Sequence, residues 1–217
     1  MKVLIAVADY AYAAYLKVAS YLTKQPQHRG SNIQNNQTVL LIPGVYENWY
    51  FFRRLQVGLE RLGHRVVNTE KLFNSTSVLV DGGKLAKYLE TNNIKSAILV
   101  GHSSGGLIAL RTLQLSDRVE KAITIAAPFH GVTNGKLLRT KLVKELLPES
   151  EVFIELRKIS QDKRRKVVSF YPSYDNQVWS KKGSILNGAK NTMLKSRGHH
   201  LILRSRELTS AVISELQ

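Results

Sequence analysis

The sequence predicts an α/β protein: a mostly parallel β-sheet with helices on both faces, plus an N-terminal helix. Three observations predict it. Continuous apolar runs such as Thr38-Val39-Leu40-Leu41-Ile42 and Ala97-Ile98-Leu99-Val100 alternate with helix-like segments, the pattern of parallel strands covered on both sides. Gly101-His102-Ser103-Ser104-Gly105 joins one such run to a helix-like stretch through a sharp turn. The 217 residues are 43% hydrophobic, which suits a domain with a sizeable core.

The elements follow in order. Met1 to Asp9 is a short apolar run that ends in an acid, so no signal peptide is expected. Tyr10 to Leu22 reads as an amphipathic, tyrosine-rich helix. Such helices mostly pack on their own domain, and a minority lie on a membrane surface. No apolar stretch approaches the roughly 20 residues of a membrane span. Residues 24–37 are polar and turn-rich and read as a linker, so 1–37 is an extension and 38–217 the main domain. Thr38 to Ile42 is a strand ended by Pro43-Gly44. Tyr50 to Leu62 is a helix with Phe51, Leu55, Leu59 and Leu62 on one side. Arg65 begins a strand, Val78 to Leu89 is a helix, and Ala97 to Val100 is the strand before the serine turn. Ala122 to Ala126 and Lys166 to Phe170 are further strands, and Arg204 to Leu216 closes the chain as a helix. Between them, residues 131–166 carry Leu138, Leu142 and Leu146 at intervals of four, among lysines and arginines. This segment reads as a small basic cap, or equally as ordinary helices packed on the sheet.

Composition excludes several classes. The chain has no cysteine, so disulfides and thiolate chemistry are absent. That fits a reducing, cytoplasmic setting, with peripheral membrane contact as an open alternative. The net charge of +16 favours anionic partners. Its densest run is Lys163-Arg164-Arg165-Lys166, but the positive residues are spread widely. No zinc-finger or RNP-like pattern accompanies them, so specific nucleic-acid binding is not expected.

The chemistry is expected in loops at the carboxyl ends of the strands. A serine hydroxyl needs a base to take its proton and a third group to hold that base. In this architecture the order is Ser, then Asp or Glu, then His. Ser103 is the expected nucleophile, its plain reading being an N-capping serine in a strand-to-helix turn. Asp175 follows the strand ending near Phe170 and is the acid, its plain reading being an Asx-turn residue. Gly198-His199-His200 supplies the base: His199, directly after the glycine, with His200 the alternative. His102 packs or hydrogen-bonds beside the nucleophile, and His130 is pocket wall or loop structure. Oxyanion donors are expected from the backbone N–H of Ser104 and of Val45, the latter in the loop opened by Pro43-Gly44. No metal-ligand spacing is visible, so no metal or organic cofactor is expected.

With these residues in place, the chain from about Thr38 onward resembles the α/β-hydrolase superfamily, in particular its small lipase and esterase members. The matching stretches are Pro43-Gly44, Gly101 to Gly106, Ala126-Ala127-Pro128-Phe129-His130-Gly131, Ser173 to Val178, and Gly198-His199-His200-Leu201. The resemblance implies hydrolysis of small-molecule or lipid esters by Ser103, Asp175 and His199, with Val45 and Ser104 as oxyanion donors. Many such lipases have His-Gly where this chain has Pro43-Gly44, and some carry methionine in place of Ser104. Thioester, amide or acyl-transfer chemistry on the same residues is an alternative, as is a non-catalytic binding protein. Acyl length, physiological substrate and oligomeric state are not encoded in any motif.

Overall fold

The computed structural model describes residues 1–25, 37–73, 77–132, 144–180 and 182–217. Six strands form one sheet: β1 (Thr38–Ile42), β2 (Arg65–Asn68), β3 (Ala97–His102), β4 (Val119–Ile125), β5 (Val167–Tyr174) and β6 (Lys190–Arg197). Their order is β2-β1-β3-β4-β5-β6, and every neighbouring pair is parallel.

The central strands are buried along their length, and their side chains divide by parity. Leu40, Ile42 and Leu99 join a core on one face, with α3 (Val78–Thr91), α4 (Ser104–Leu115) and α5 (Glu151–Arg157). Val39, Leu41, Ile98 and Val100 join a core on the other, with α1 (Lys2–Leu22), α2 (Arg53–Arg61) and α7 (Arg206–Ser214). The short α6 (Gln161–Arg165) leads into β5. The chain winds from β1 out to β2, then returns past β1 to β3. The loops after β1 and β3 therefore meet at a switch point, where such sheets bind ligands.

Several expectations are corrected. The first 22 residues form one helix from Lys2, where a helix was expected only from Tyr10. That helix is long and apolar enough to cross a membrane, with mean hydropathy 1.3 over its most apolar stretch. Asp9 interrupts the apolar run in the sequence but does not lower the average enough to remove this property. Trp49–Phe52 is a 3-10 turn that precedes α2, and Leu62 is exposed (47%) because α2 has ended by then. β6 was not expected. It is an edge strand whose residues are mostly polar and half or fully exposed, so it lacks the apolar run that marks the others. In the 131–166 segment, α5 buries Val152, Phe153 and Leu156 in the core shared with α4. Leu137, Leu138, Leu142 and Val143 lie outside the described residues, as does most of the 24–37 linker.

Candidate active site

β3 ends at His102 and α4 begins at Ser104, so a single residue makes the turn between them. Ser103 takes φ 52 and ψ −125, a conformation that costs a non-glycine residue on the order of 1–3 kcal/mol. The chain around it is packed too tightly for side chains. A Cβ on Gly101 would lie 2.3 Å from the Gly105 carbonyl oxygen, and one on Gly105 would lie 2.1 Å from that of Ile42. The Ser103 N–H donates to the Ile125 carbonyl at 2.9 Å, which ties the turn to β4. Ser104 is the first residue of α4, so its N–H has no acceptor within the helix.

The loop after β1 passes directly against this turn. A Cβ on Gly44 would lie 3.0 Å from the Ser103 Cβ. The Glu47 N–H donates to the Gly44 carbonyl at 3.1 Å and closes the loop, with Tyr46 at φ 61. The Gly44 N–H is taken by Glu47 Oε2 at 2.7 Å. Val45 lines the same cavity as Ser103.

Asp175 follows the last residue of β5. Its Oδ1 accepts the N–H groups of Gln177 and Val178 at 2.8 and 2.9 Å, and its Oδ2 lies 2.9 Å from His199 Nδ1. It is therefore an Asx-type turn residue and the partner of a histidine at once. His200 has a carboxylate of its own: its Nδ1 lies 2.9 Å from Asp9 Oδ2, and its Nε2 lies 3.6 Å from Glu47 Oε1. Both nitrogens of His200 thus face acids. His199 spends only Nδ1 on an acid, and its ring lines the cavity that contains Ser103. Among the described residues no hydrogen bond joins Ser103 to His199. Catalytic hydrogen bonds are often long before substrate binds.

His102 hydrogen-bonds beside Ser103 as expected, whereas the sequence reading missed Glu47, Asp9 and Asn176. His102 lies 2.6 Å by Nδ1 from Glu47 Oε1, and its Nε2 meets the His199 carbonyl at 3.0 Å. Asp9, on α1, is fully buried. It accepts the N–H groups of His200 and Leu201 at 2.7 and 2.8 Å and the Asn176 amide at 3.1 Å. Asn176 accepts the His199 N–H at 3.0 Å. Three imidazoles thus pack together, with ring centroids 4.9–5.8 Å apart, each facing its own carboxylate. The one sequence signal for Asp9 is that it is the only acid in an apolar helix. Glu47 carries no local signal at all. His130 is exposed and bonds the Ile185 carbonyl, so it stands as loop structure.

Burial opposes ionisation of Asp9, Glu47, Asp175 and His199, and their partners overcome it. Burial raises the Asp175 pKa, but the charge and hydrogen bond of His199 and the Val178 and Gln177 N–H groups bring it below 3.8. Burial likewise opposes charge on His199. Asp175, then Glu47 and Asp9 at longer range, outweigh it and raise the imidazole above 6.5. Asp9 and Glu47 are held below their ordinary values by His200 and His102 respectively, again against burial. Among the described residues, no group of three or more His, Asp and Glu side chains has a metal-holding arrangement.

No protein-family model and no curated protein sequence matches the chain. Solved structures do. The mature lipase BlEst2 of Bacillus licheniformis superposes with a TM-score of 0.63 at 16% identity, over 89% of this chain and 94% of that one. The Paleococcus ferrophilus monoacylglycerol lipase gives 0.61 at 15% identity, over 86% and 95%. An extracellular alpha/beta-hydrolase from a Paenibacillus species gives 0.56 at 14%, over 82% and 98%. This chain has the α/β-hydrolase fold. Within that fold, the turn after β3, the acid after β5 and the histidine loop before α7 all reach the carboxyl edge of the sheet. The α/β-hydrolase sheet is crossed at this rim by α1, which brings Asp9 to the histidine loop.

Proposed function

We propose that the protein is a serine hydrolase that cleaves carboxylic esters. One observation carries this reading. Ser103, in a strained strand-to-helix turn, shares a cavity of about 560 Å³ with His199, and His199 is hydrogen-bonded to Asp175. The cavity is mostly apolar, with Val45, Phe51, Val132, Leu146, Val178 and Trp179 in its walls, which suits an acyl chain.

In the proposed reaction the Ser103 hydroxyl attacks the ester carbonyl carbon while His199 Nε2 takes its proton. The carbonyl oxygen becomes an oxyanion that accepts hydrogen bonds from the Val45 and Ser104 N–H groups. The tetrahedral intermediate collapses and the alcohol leaves with the proton from His199. A water then gives its proton to His199 and attacks the acyl-enzyme, releasing the acid and regenerating the Ser103 hydroxyl. Asp175 stays ionised, fixes the His199 tautomer with Nδ1–H and stabilises the transient imidazolium.

The test is turnover of a p-nitrophenyl ester chain-length series beside an acyl thioester and an amide. The native chain is expected to prefer the esters. Ser103→Ala is expected to lose at least about a thousandfold in kcat. A faster thioester or amide rate would replace the ester reading, and a Ser103→Ala variant at native rate would remove the serine mechanism.

A further inference from the structure

Helix α1 is amphipathic in the inverted sense. Its one acid, Asp9, points into the protein, while its outward face carries no charge. Leu4, Val7, Ala11, Tyr15, Val18 and Leu22 recur at three- and four-residue spacing and form one exposed stripe. Leu4 is 73% exposed, Val7 62%, Val18 60% and Leu22 84%. From Leu4 to Leu22 this stripe is about 27 Å long. A continuous apolar face of that size on a soluble surface marks an interaction site.

We propose that this face lies flat on an anionic membrane surface, with the cavity at Ser103 opening beside it. Charge selects this occupant. Basic side chains frame the helix. Arg197 touches Met1 at its start, Arg204 sits over the Tyr12 ring, and Arg53, Arg54 and Arg61 line the groove between α1 and α2. The chain as a whole carries +16. Asp9 on the helix and Glu47 in the loop that Lys17 contacts have buried side chains paired with histidines, so they do not offset this frame. An apolar face ringed by cations is what the interface of an anionic bilayer accepts.

Asp9 also decides that α1 lies on the bilayer rather than across it. The helix is long and apolar enough to span. Spanning would strip Asp9 of its bonds from His200, Leu201 and Asn176 and place a carboxylate in hydrocarbon. The Lys17 ammonium, on the Tyr46 carbonyl at 2.8 Å, and Ser20, accepting from Asn48 at 2.6 Å, hold the same side of α1 to the loop after β1. The opposite side is left for the lipid. Tyr10, Ala13 and Ala14 of α1 form a wall of the Ser103 cavity, and exposed Tyr46 and Trp179 stand in its other walls. Aromatic side chains of this kind settle at the headgroup level. A lipid acyl chain therefore has a short apolar route from the bilayer to Ser103. The Lys163 to Lys166 run does not belong to this surface, because it precedes β5 and so lies at the opposite end of the sheet from the site.

The binding claim stands apart from the ester reading and is tested without turnover. Ser103→Ala protein is sedimented with vesicles of phosphatidylcholine and phosphatidylglycerol in roughly equal parts, and with vesicles of phosphatidylcholine alone. Binding is expected to the anionic vesicles, to weaken with salt, and to be released by alkaline carbonate. Val7→Asp and Val18→Asp are each expected to weaken it about tenfold, with circular dichroism and water-soluble ester hydrolysis unchanged in the Ser103 background. Equal binding by native and Val7→Asp protein would overturn the role of α1. So would resistance to carbonate, which indicates a crossing helix, or a dimer in size exclusion that Val7→Asp dissolves, which would assign the face to a second copy.

Discussion

Asp9, on α1, reaches the candidate site from 191 residues before His200. It holds the backbone of the histidine loop at His200 and Leu201, and through Asn176 it reaches the backbone N–H of His199. It does not line the Ser103 cavity, so in the proposed reaction it would act by positioning. Gly198, at φ +107, is what lets the loop approach so closely: a Cβ there would lie 2.7 Å from Asp9 Oδ1. Asp9→Asn would turn an amide donor toward Asn176 or His200. Displacing the base by an ångström costs about a hundredfold in rate, so kcat is expected to fall tenfold to a hundredfold with KM nearly unchanged. The Asp9 charge also helps to raise the His199 pKa. The acidic limb of kcat/KM in Asp9→Asn is therefore expected to move to lower pH, which a merely destabilising change would not do. In the native protein the proposed mechanism places that limb above the ordinary imidazole value, because His199 would have to be neutral to act as base and its pKa is raised.

At the scale of elements, the strand-to-helix turn at Ser103 shows why local sequence was informative. Gly105→Ala would bring a Cβ to 2.1 Å from the Ile42 carbonyl. Backbone cannot yield there without separating β1 from α4, so a loss of several kcal/mol is expected from overpacking, read as a lower midpoint in denaturant. Tight turns of this kind leave a signature because only certain residues fit. Five of the six strands were legible for that reason, and so was the meeting at one rim of Ser103, Asp175 and His199, whose catalytic roles are the proposal. Strands buried on both faces need unbroken apolar runs, and the loops after them are marked by Gly, Asp and His. β6 was not legible because an edge strand need not be apolar on either face. Asp9 and Glu47 were not legible because their partners lie 191 and 55 residues away, at His200 and His102. The extent of α1 was hidden by reading Asp9 as the end of an apolar run, when it is the inward contact of one continuous helix. Sequence position prefers His199, directly after Gly198, and leaves His200 as the alternative. The acid at each nitrogen of His200 separates them.

The whole molecule stores three acid–histidine pairs beneath one rim, and this governs its pH response. Asp9, Glu47 and Asp175 have folded pKa values below their ordinary 3.8, 4.5 and 3.8. The stability they contribute is present above those ordinary values and is lost as pH falls through the folded ones. His199 is raised above 6.5, so its contribution is complete below 6.5 and is lost as pH rises through the folded value. Thermal unfolding midpoints are expected to be highest between about pH 4.5 and 6.5 as far as these groups decide. The proposed reaction needs neutral His199, so activity is expected to peak at higher pH and the two optima should not coincide. The central claim is that this rim presents Ser103 as a nucleophile activated by His199. The most direct test is to label the folded chain with a fluorophosphonate and locate the adduct by peptide mass. The account predicts a single adduct on Ser103, absent from Ser103→Ala and strongly slowed in His199→Ala. A native chain that takes no label, or an adduct that survives in Ser103→Ala, would contradict it.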